Sequence, residues 1–184
     1  PEVVPAQART EGAARLALFE EKLRGVNGSM SRLPSWEALP EALAAELRAR
    51  NLPAAIRLGE EPHFAALDWG GTEVSRGPGR RVEPAALSRA VAGSAETGTV
   101  VLRSGPENPV TLTFLPETHF VVLRASEIEA GMEGVWARLR AEGGPAASRT
   151  VNFVTGPSRS ADIGLTLQLG AHGPVALHVF VVED

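Results

Sequence analysis

The stretch "TVVLRSGPENPVTLTFLPETHFVVLR" (Thr99–Arg124) decides how the rest of the chain is read. It holds three β-rich pieces, "TVVLRS", "VTLTFLP" and "HFVVLR", each short and boxed by the turn clusters "GPENP" and "PET", whose Gly, Pro and Asn residues end strands rather than extend them. The first two pieces invite a hairpin across "GPENP". The third reads as a buried strand.

Working outward, "ASEIEAGMEGVWARLRAEGG" (residues 125–144) places Ile128, Met132, Val135 and Leu139 on one helical stripe, with Gly143 at its end. Beyond it, "TVNFV" and "LHVFVV" are apolar strands. Towards the start, Glu11 to Arg24 spaces Leu16, Phe19 and Leu23 as an amphipathic helix. Ser35 can cap a second helix carrying Leu39, Leu43 and Leu47 and ending near Asn51. "AAIRL" (residues 54–58) is a short strand, "FAALDWGG" with "TEVSRG" a weaker one, and Gly70 to Arg81 an exposed loop. Pro84 to Val91 suits a further helix, with Pro84 at its first position. Strands alternating with helices give an α/β fold: a single domain with a largely parallel sheet covered by helices and one antiparallel element. The expected organisation is one domain over residues 1–184, with a helical region in 1–50 and a motif-bearing core in 92–182.

The 184 residues are 43% hydrophobic, enough for one compact core. Formal net charge is -4, which leaves no electrostatic footprint for nucleic acid. The absence of cysteine rules out a disulfide, a thiolate nucleophile and ordinary iron–sulfur ligation by these residues. No apolar run reaches the roughly 18 residues of a membrane span, and no signal-peptide pattern is visible, so the expected location is cytoplasmic.

Three constellations carry candidate chemistry. "TGPSRSAD" (residues 155–162) follows an apolar strand. At the carboxyl end of a central strand, with a helix behind it, such a turn would bind an anion through free N–H groups and Arg159. In the structural alternative Ser158 or Ser160 caps a helix and Asp162 sits in its first turn. Ile163, Leu165, Leu167 and Leu169 alternate with polar or small residues, so extended chain also fits. In "SAETGTVVL" (residues 94–102), Glu96 is a candidate general base or nucleophile, or else a loop anchor beside the turn residue Gly98. Among the histidines, His172 in "GAHGP" is the functional candidate, its neighbouring glycines permitting close approach, whereas His119 and His178 read as structural. No pair has metal-ligand spacing.

Taken together, "AETGT", "LPETHFVV", "GPSRSADI", "LGAHGP" and "LHVFVV", in this order, resemble the lactate-utilization (LUD) domain family, clearly over about Ala92 to Val182. The resemblance implies a fold like that of the CoA-transferase, sugar-phosphate isomerase and formyltetrahydrofolate cyclo-ligase superfamily. It implies a cluster-free subunit of a system oxidising L-lactate to pyruvate, with no cofactor of its own and with iron–sulfur clusters in partner lactate-utilization proteins. The residues carried over are Glu96, Thr97, Gly98 and Thr99, His119, then Gly156, Pro157, Ser158, Arg159, Ala161 and Asp162, and finally His172, Gly173 and Pro174. Glu96 and His172 are the catalytic candidates; Thr97, Gly98, Thr99, Gly156, Ser158, Arg159, Ser160 and Asp162 are candidates for holding a small anion, lactate or another carboxylate or phosphate. An acyl-transfer enzyme using Glu96 and a non-catalytic scaffold are the alternative readings.

Overall fold

The computed structural model describes residues 9–144, 147–160, 168–169 and 172–183. Its centre is a six-stranded, all-parallel sheet. In chain order the strands of this sheet are β1 (Ser29–Leu33), β2 (Ala55–Leu58), β3 (Glu73–Arg76), β4 (Ala85–Arg89), β7 (Thr118–Arg124) and β12 (Ala176–Val182), arranged β1-β12-β7-β4-β2-β3. A second, four-stranded sheet contains β5 (Ala92–Ser94), β6 (Thr99–Arg103), β8 (Ile128–Glu129) and β9 (Val151–Val154) in the order β8-β5-β6-β9. The helices are α1 (Gly12–Gly25), α2 (Leu39–Ala49), α5 (Met132–Ala141) and two single turns, α3 (Pro62–Ala65) and α4 (Thr111–Phe114).

The period-two pattern of the central strands sorts the core into two faces. Phe120 and Val122 of β7, with Phe180 and Val182 of β12, pack with Leu39, Leu43 and Leu47 of α2 and Phe64 of α3. The intervening Val121 and Leu123, with Leu177, Val179 and Val181, pack with Phe19 and Leu23 of α1 and with Val100 and Leu102 of β6. The small sheet thus covers the second face beside α1. Its outer side, Ala92 and Val101, is closed by Val135 and Leu139 of α5.

Three sequence expectations are corrected. Ile128 lies in β8, ahead of α5, rather than on the stripe of the helix. Within residues 84–91, Ala85–Arg89 form the central strand β4, not a helix: Ala85, Ala86, Leu87 and Ser88 are buried between β2 and β7, and a strand covered on both faces lacks the alternation that would reveal it. Pro84, without an N–H, stands just before the strand and accepts from Thr118 N–H at 2.9 Å. "VTLTFLP" forms no strand and no hairpin with β6. Both edges of β6 are taken, by β5 and β9, and residues 105–108 close on themselves through reciprocal Gly105 and Asn108 backbone hydrogen bonds. The piece winds instead into the one turn of α4.

Candidate functional site

The small sheet brings the two main motif loops together. β5 and β6 pair antiparallel, so "AETGT" is the turn of their hairpin. β9 pairs antiparallel with β6, Val100 opposite Val154, so the "TGPSR" turn leaves beside that hairpin tip. The two loops are joined by hydroxyls: Thr97 Oγ1 lies 2.6 Å from Thr99 Oγ1, which lies 2.7 Å from Thr155 Oγ1. Their glycines are required by geometry. Gly98 has φ +67°, and a Cβ on it would meet the backbone nitrogen of Leu23 at 2.3 Å; Gly156 has φ +82°, and a Cβ would meet Val26 O at 2.4 Å. Both loops therefore lie against the end of α1.

From Thr155 the chain passes Gly156 and Pro157, both buried, to Ser158, whose N–H donates to Pro174 O at 2.8 Å. This bond draws "GPS" onto "HGP". Between them is a cavity of about 230 Å³, whose lining includes Thr155, Ser158, His172, Leu177, Phe114 and His119. His172 is exposed, whereas His119 is only 1% exposed. His119 Nε2 lies 3.0 Å from Ser88 Oγ on the adjacent strand. Its Nδ1 has no hydrogen-bond partner among the described residues. Burial pushes this imidazole down to about 3, so it is a neutral ring at physiological pH. No carboxylate lines the cavity among the described residues. Phe114, His172 and Gly173 also line an adjoining cavity of about 330 Å³ that contains Arg81 and Glu117.

The geometry departs from the sequence expectation in two respects. β9 is the edge of the small sheet, not a central strand, and the cavity lies at the amino ends of β7 and β12, where His119 and Leu177 stand. After the turn no helix starts at Ser158: Arg159–Ser160 (β10) pairs antiparallel with Gln168–Leu169 (β11). Ser158 is therefore not a helix cap, and the residues that a cap at Ser160 would serve lie outside the described residues. Arg159 is exposed at the rim. Asp162, Ala161 and most of the alternating segment lie outside the described residues. Glu96 is half-buried, its N–H donating to Ala130 O at 3.1 Å, and it does not line the cavity. The structure thus gathers Thr97, Thr99, Thr155, Ser158, His172 and His119, and adds Arg81 and Ser88. Arg81 sat in a segment read as loose loop, and Ser88 in one read as helix, so neither had a signal tying it to the motifs.

A family model described as the LUD domain matches residues 16–182. The chain belongs to the LUD domain family. Among curated proteins it is similar to lactate utilization protein C of Geobacillus sp. (strain WCH70), 41% identical over 92 residues, 49% of this chain and 38% of that protein. It is also similar to lactate utilization protein C of Bacillus pumilus, 33% identical over 66% of this chain and 52% of that protein, and to an uncharacterized protein of Neisseria meningitidis serogroup B, 40% identical over 53% and 42%. The chain therefore spans only about two fifths to half of the length of these relatives. Among solved structures, a DUF162 family protein from Deinococcus radiodurans aligns with TM-score 0.67 and 26% identity over 94% of this chain and 99% of that one. No helix among the described residues is long and apolar enough to cross a membrane.

Proposed function

We propose that this LUD domain is the cluster-free component of an L-lactate-oxidising system and holds a small carboxylate, lactate or its product, in the cavity between "TGPS" and "HGP". The observation that carries the reading is the convergence of the "TGPS" and "HGP" loops and two motif histidines on one small cavity whose described lining contains hydroxyls and imidazoles but no carboxylate. About 230 Å³ holds a three-carbon acid with room for bridging water. Ser158, Thr155 and His172 supply hydrogen bonds, and Arg159 and Arg81 stand at the rim or in the adjoining cavity as cations. Electron transfer would fall to iron–sulfur partners, because these residues offer no thiolate ligand. Calorimetric titration with sodium L-lactate and with pyruvate tests the reading. Saturable binding lost in Ser158→Ala and weakened in His172→Gln is expected. Absence of binding, together with normal growth on L-lactate of a deletion strain lacking any redundant route, would overturn it.

A further inference from the structure

The carboxylate cavity and its neighbour of about 330 Å³ share three lining residues among those described, Phe114, His172 and Gly173. Gly173 has no side chain and His172 is polar, so the apolar boundary common to the two spaces is the Phe114 ring. This ring stands at the end of α4 and is 44% exposed, although Leu112 and Thr113 in the same turn are buried. The backbone beneath it is fixed. Thr111 Oγ1 accepts the Gly79 N–H at 2.7 Å, Leu115 N–H donates to Thr111 O at 3.0 Å, and a Cβ on Gly79 would meet Thr111 O at 2.6 Å. The segment after β3 and the turn of α4 therefore hold each other in place, and the two cavities are divided by a side chain on a fixed backbone.

The chemistry of the two spaces differs. The carboxylate cavity combines the hydroxyls of Thr155 and Ser158 with apolar surface from Phe114, Phe153 and Leu177. The neighbour sets one cation, Arg81, and one carboxylate, Glu117, among apolar residues such as Leu115 and Val175. Its two opposite charges give it no net preference for a charged group, whereas its apolar walls favour an uncharged one. A 2-hydroxy acid held through its carboxylate and hydroxyl has only its side chain left for apolar surface. In the carboxylate cavity that surface includes Phe114, and beyond Phe114 lies the neighbour.

We infer that Phe114 sets the length of side chain this site accepts: its ring closes the carboxylate cavity against the neighbouring one and restricts the ligand to short 2-hydroxy or 2-oxo acids. The inference rests on the carboxylate-binding reading given above and names which acids that site takes. Without the ring the cavities join, and an uncharged aliphatic side chain runs from one into the other.

The test is a calorimetric titration of the parent protein, Phe114→Ala and Phe114→Trp with the sodium salts of L-lactate, L-2-hydroxybutanoate and L-2-hydroxyhexanoate. The parent is expected to prefer L-lactate to 2-hydroxyhexanoate by roughly tenfold or more. In Phe114→Ala the order reverses: L-lactate, deprived of its apolar wall, binds more weakly, and each added methylene improves affinity by about fourfold. Phe114→Trp enlarges the wall and should take L-lactate while rejecting 2-hydroxybutanoate. Binding of L-lactate by the parent with the same order of acids in Phe114→Ala would overturn the role of Phe114 and leave the carboxylate reading standing, as would a parent that binds 2-hydroxyhexanoate as tightly as L-lactate. Binding of none of the acids by the parent or by either variant would overturn both. Should Phe114→Ala fold poorly in thermal unfolding, Phe114→Trp decides, since equal binding of L-lactate and 2-hydroxybutanoate by it would overturn the inference.

Discussion

Acidification from about pH 7.5 to about pH 5.5 should cost this protein roughly 3 kcal/mol of stability, with two buried histidines as the source. His119 and His178 are each 1% exposed. Burial pushes His119 down to about 3; His178 is pushed to about 3 by burial first and by the Arg50 guanidinium second. His119 Nδ1 and His178 Nε2 are unpaired among the described residues, His178 Nδ1 already lies 2.8 Å from Ser29 Oγ and 3.2 Å from Arg50, and the carboxylate near it, Glu46 Oε2 at 3.8 Å, is held by Arg50 at 2.8 Å. In the unfolded chain both rings titrate near the ordinary 6.5. The unfolded state therefore takes up protons first, so stability is fully present above about 6.5 and declines as pH falls through the window from there to about 3. One pH unit below the unfolded pKa the penalty is RT ln(1 + 10), about 1.4 kcal/mol for each ring. With a urea m-value of about 2 kcal/mol/M for a domain of this size, the unfolding midpoint should drop by roughly 1.5 M. Urea titrations followed by tryptophan fluorescence at the two pH values measure it. His119→Gln retains a donor for Ser88 but removes one titrating ring, and should lose about half of the pH dependence. A His119→Gln protein with the same pH dependence as the parent would refute the argument.

Three further outcomes follow from packing. Gly98→Ala forces a side chain into φ +67° with its Cβ 2.3 Å from Leu23 N; it should destabilise by about 2–4 kcal/mol and lower Tm by roughly 10 °C in calorimetry, whereas Gly71→Ala, with nothing within 4 Å, should leave Tm unchanged. Thr99→Val cuts the hydroxyl chain between Thr97 and Thr155; a loss of about 1–2 kcal/mol in urea unfolding, largely restored by Thr99→Ser, is expected. Arg89→Met leaves Glu127 only 14% exposed and deprived of its guanidinium, which should cost about 3 kcal/mol, while the double change with Glu127→Gln should recover part of that loss in a double-mutant cycle.

The strands β7 and β12 were legible because "HFVVLR" and "LHVFVV" are apolar on both faces and bounded by turn residues. β4 was not, because "AALSR" is built of small residues with good helical propensity and its identity is decided by the two strands that bury it. "VTLTFLP" carries a genuine strand pattern, and only the prior claim of β5 and β9 on the edges of β6 turns it into a helical turn. The meeting of "AETGT" with "TGPSR" could be expected from the joint motif pattern, but its physical link, Thr99 to Thr155, depends on antiparallel pairing across 56 positions. The meeting of Trp36 with His63 and Arg89 had no such trace. Trp36, His63 and Arg89 come from three distant segments, each ordinary in isolation.

The contact of Gly98 and Gly156 with α1 has a mechanical consequence. The spacing between the two motif loops is gauged at Gly98 by backbone atoms of Lys22 and Leu23, and at Gly156 by Val26 O together with the Val26 side chain. A one-residue insertion between Lys22 and Val26 would displace both loops at once. A helix remote in sequence from every motif sets the dimension on which the site depends.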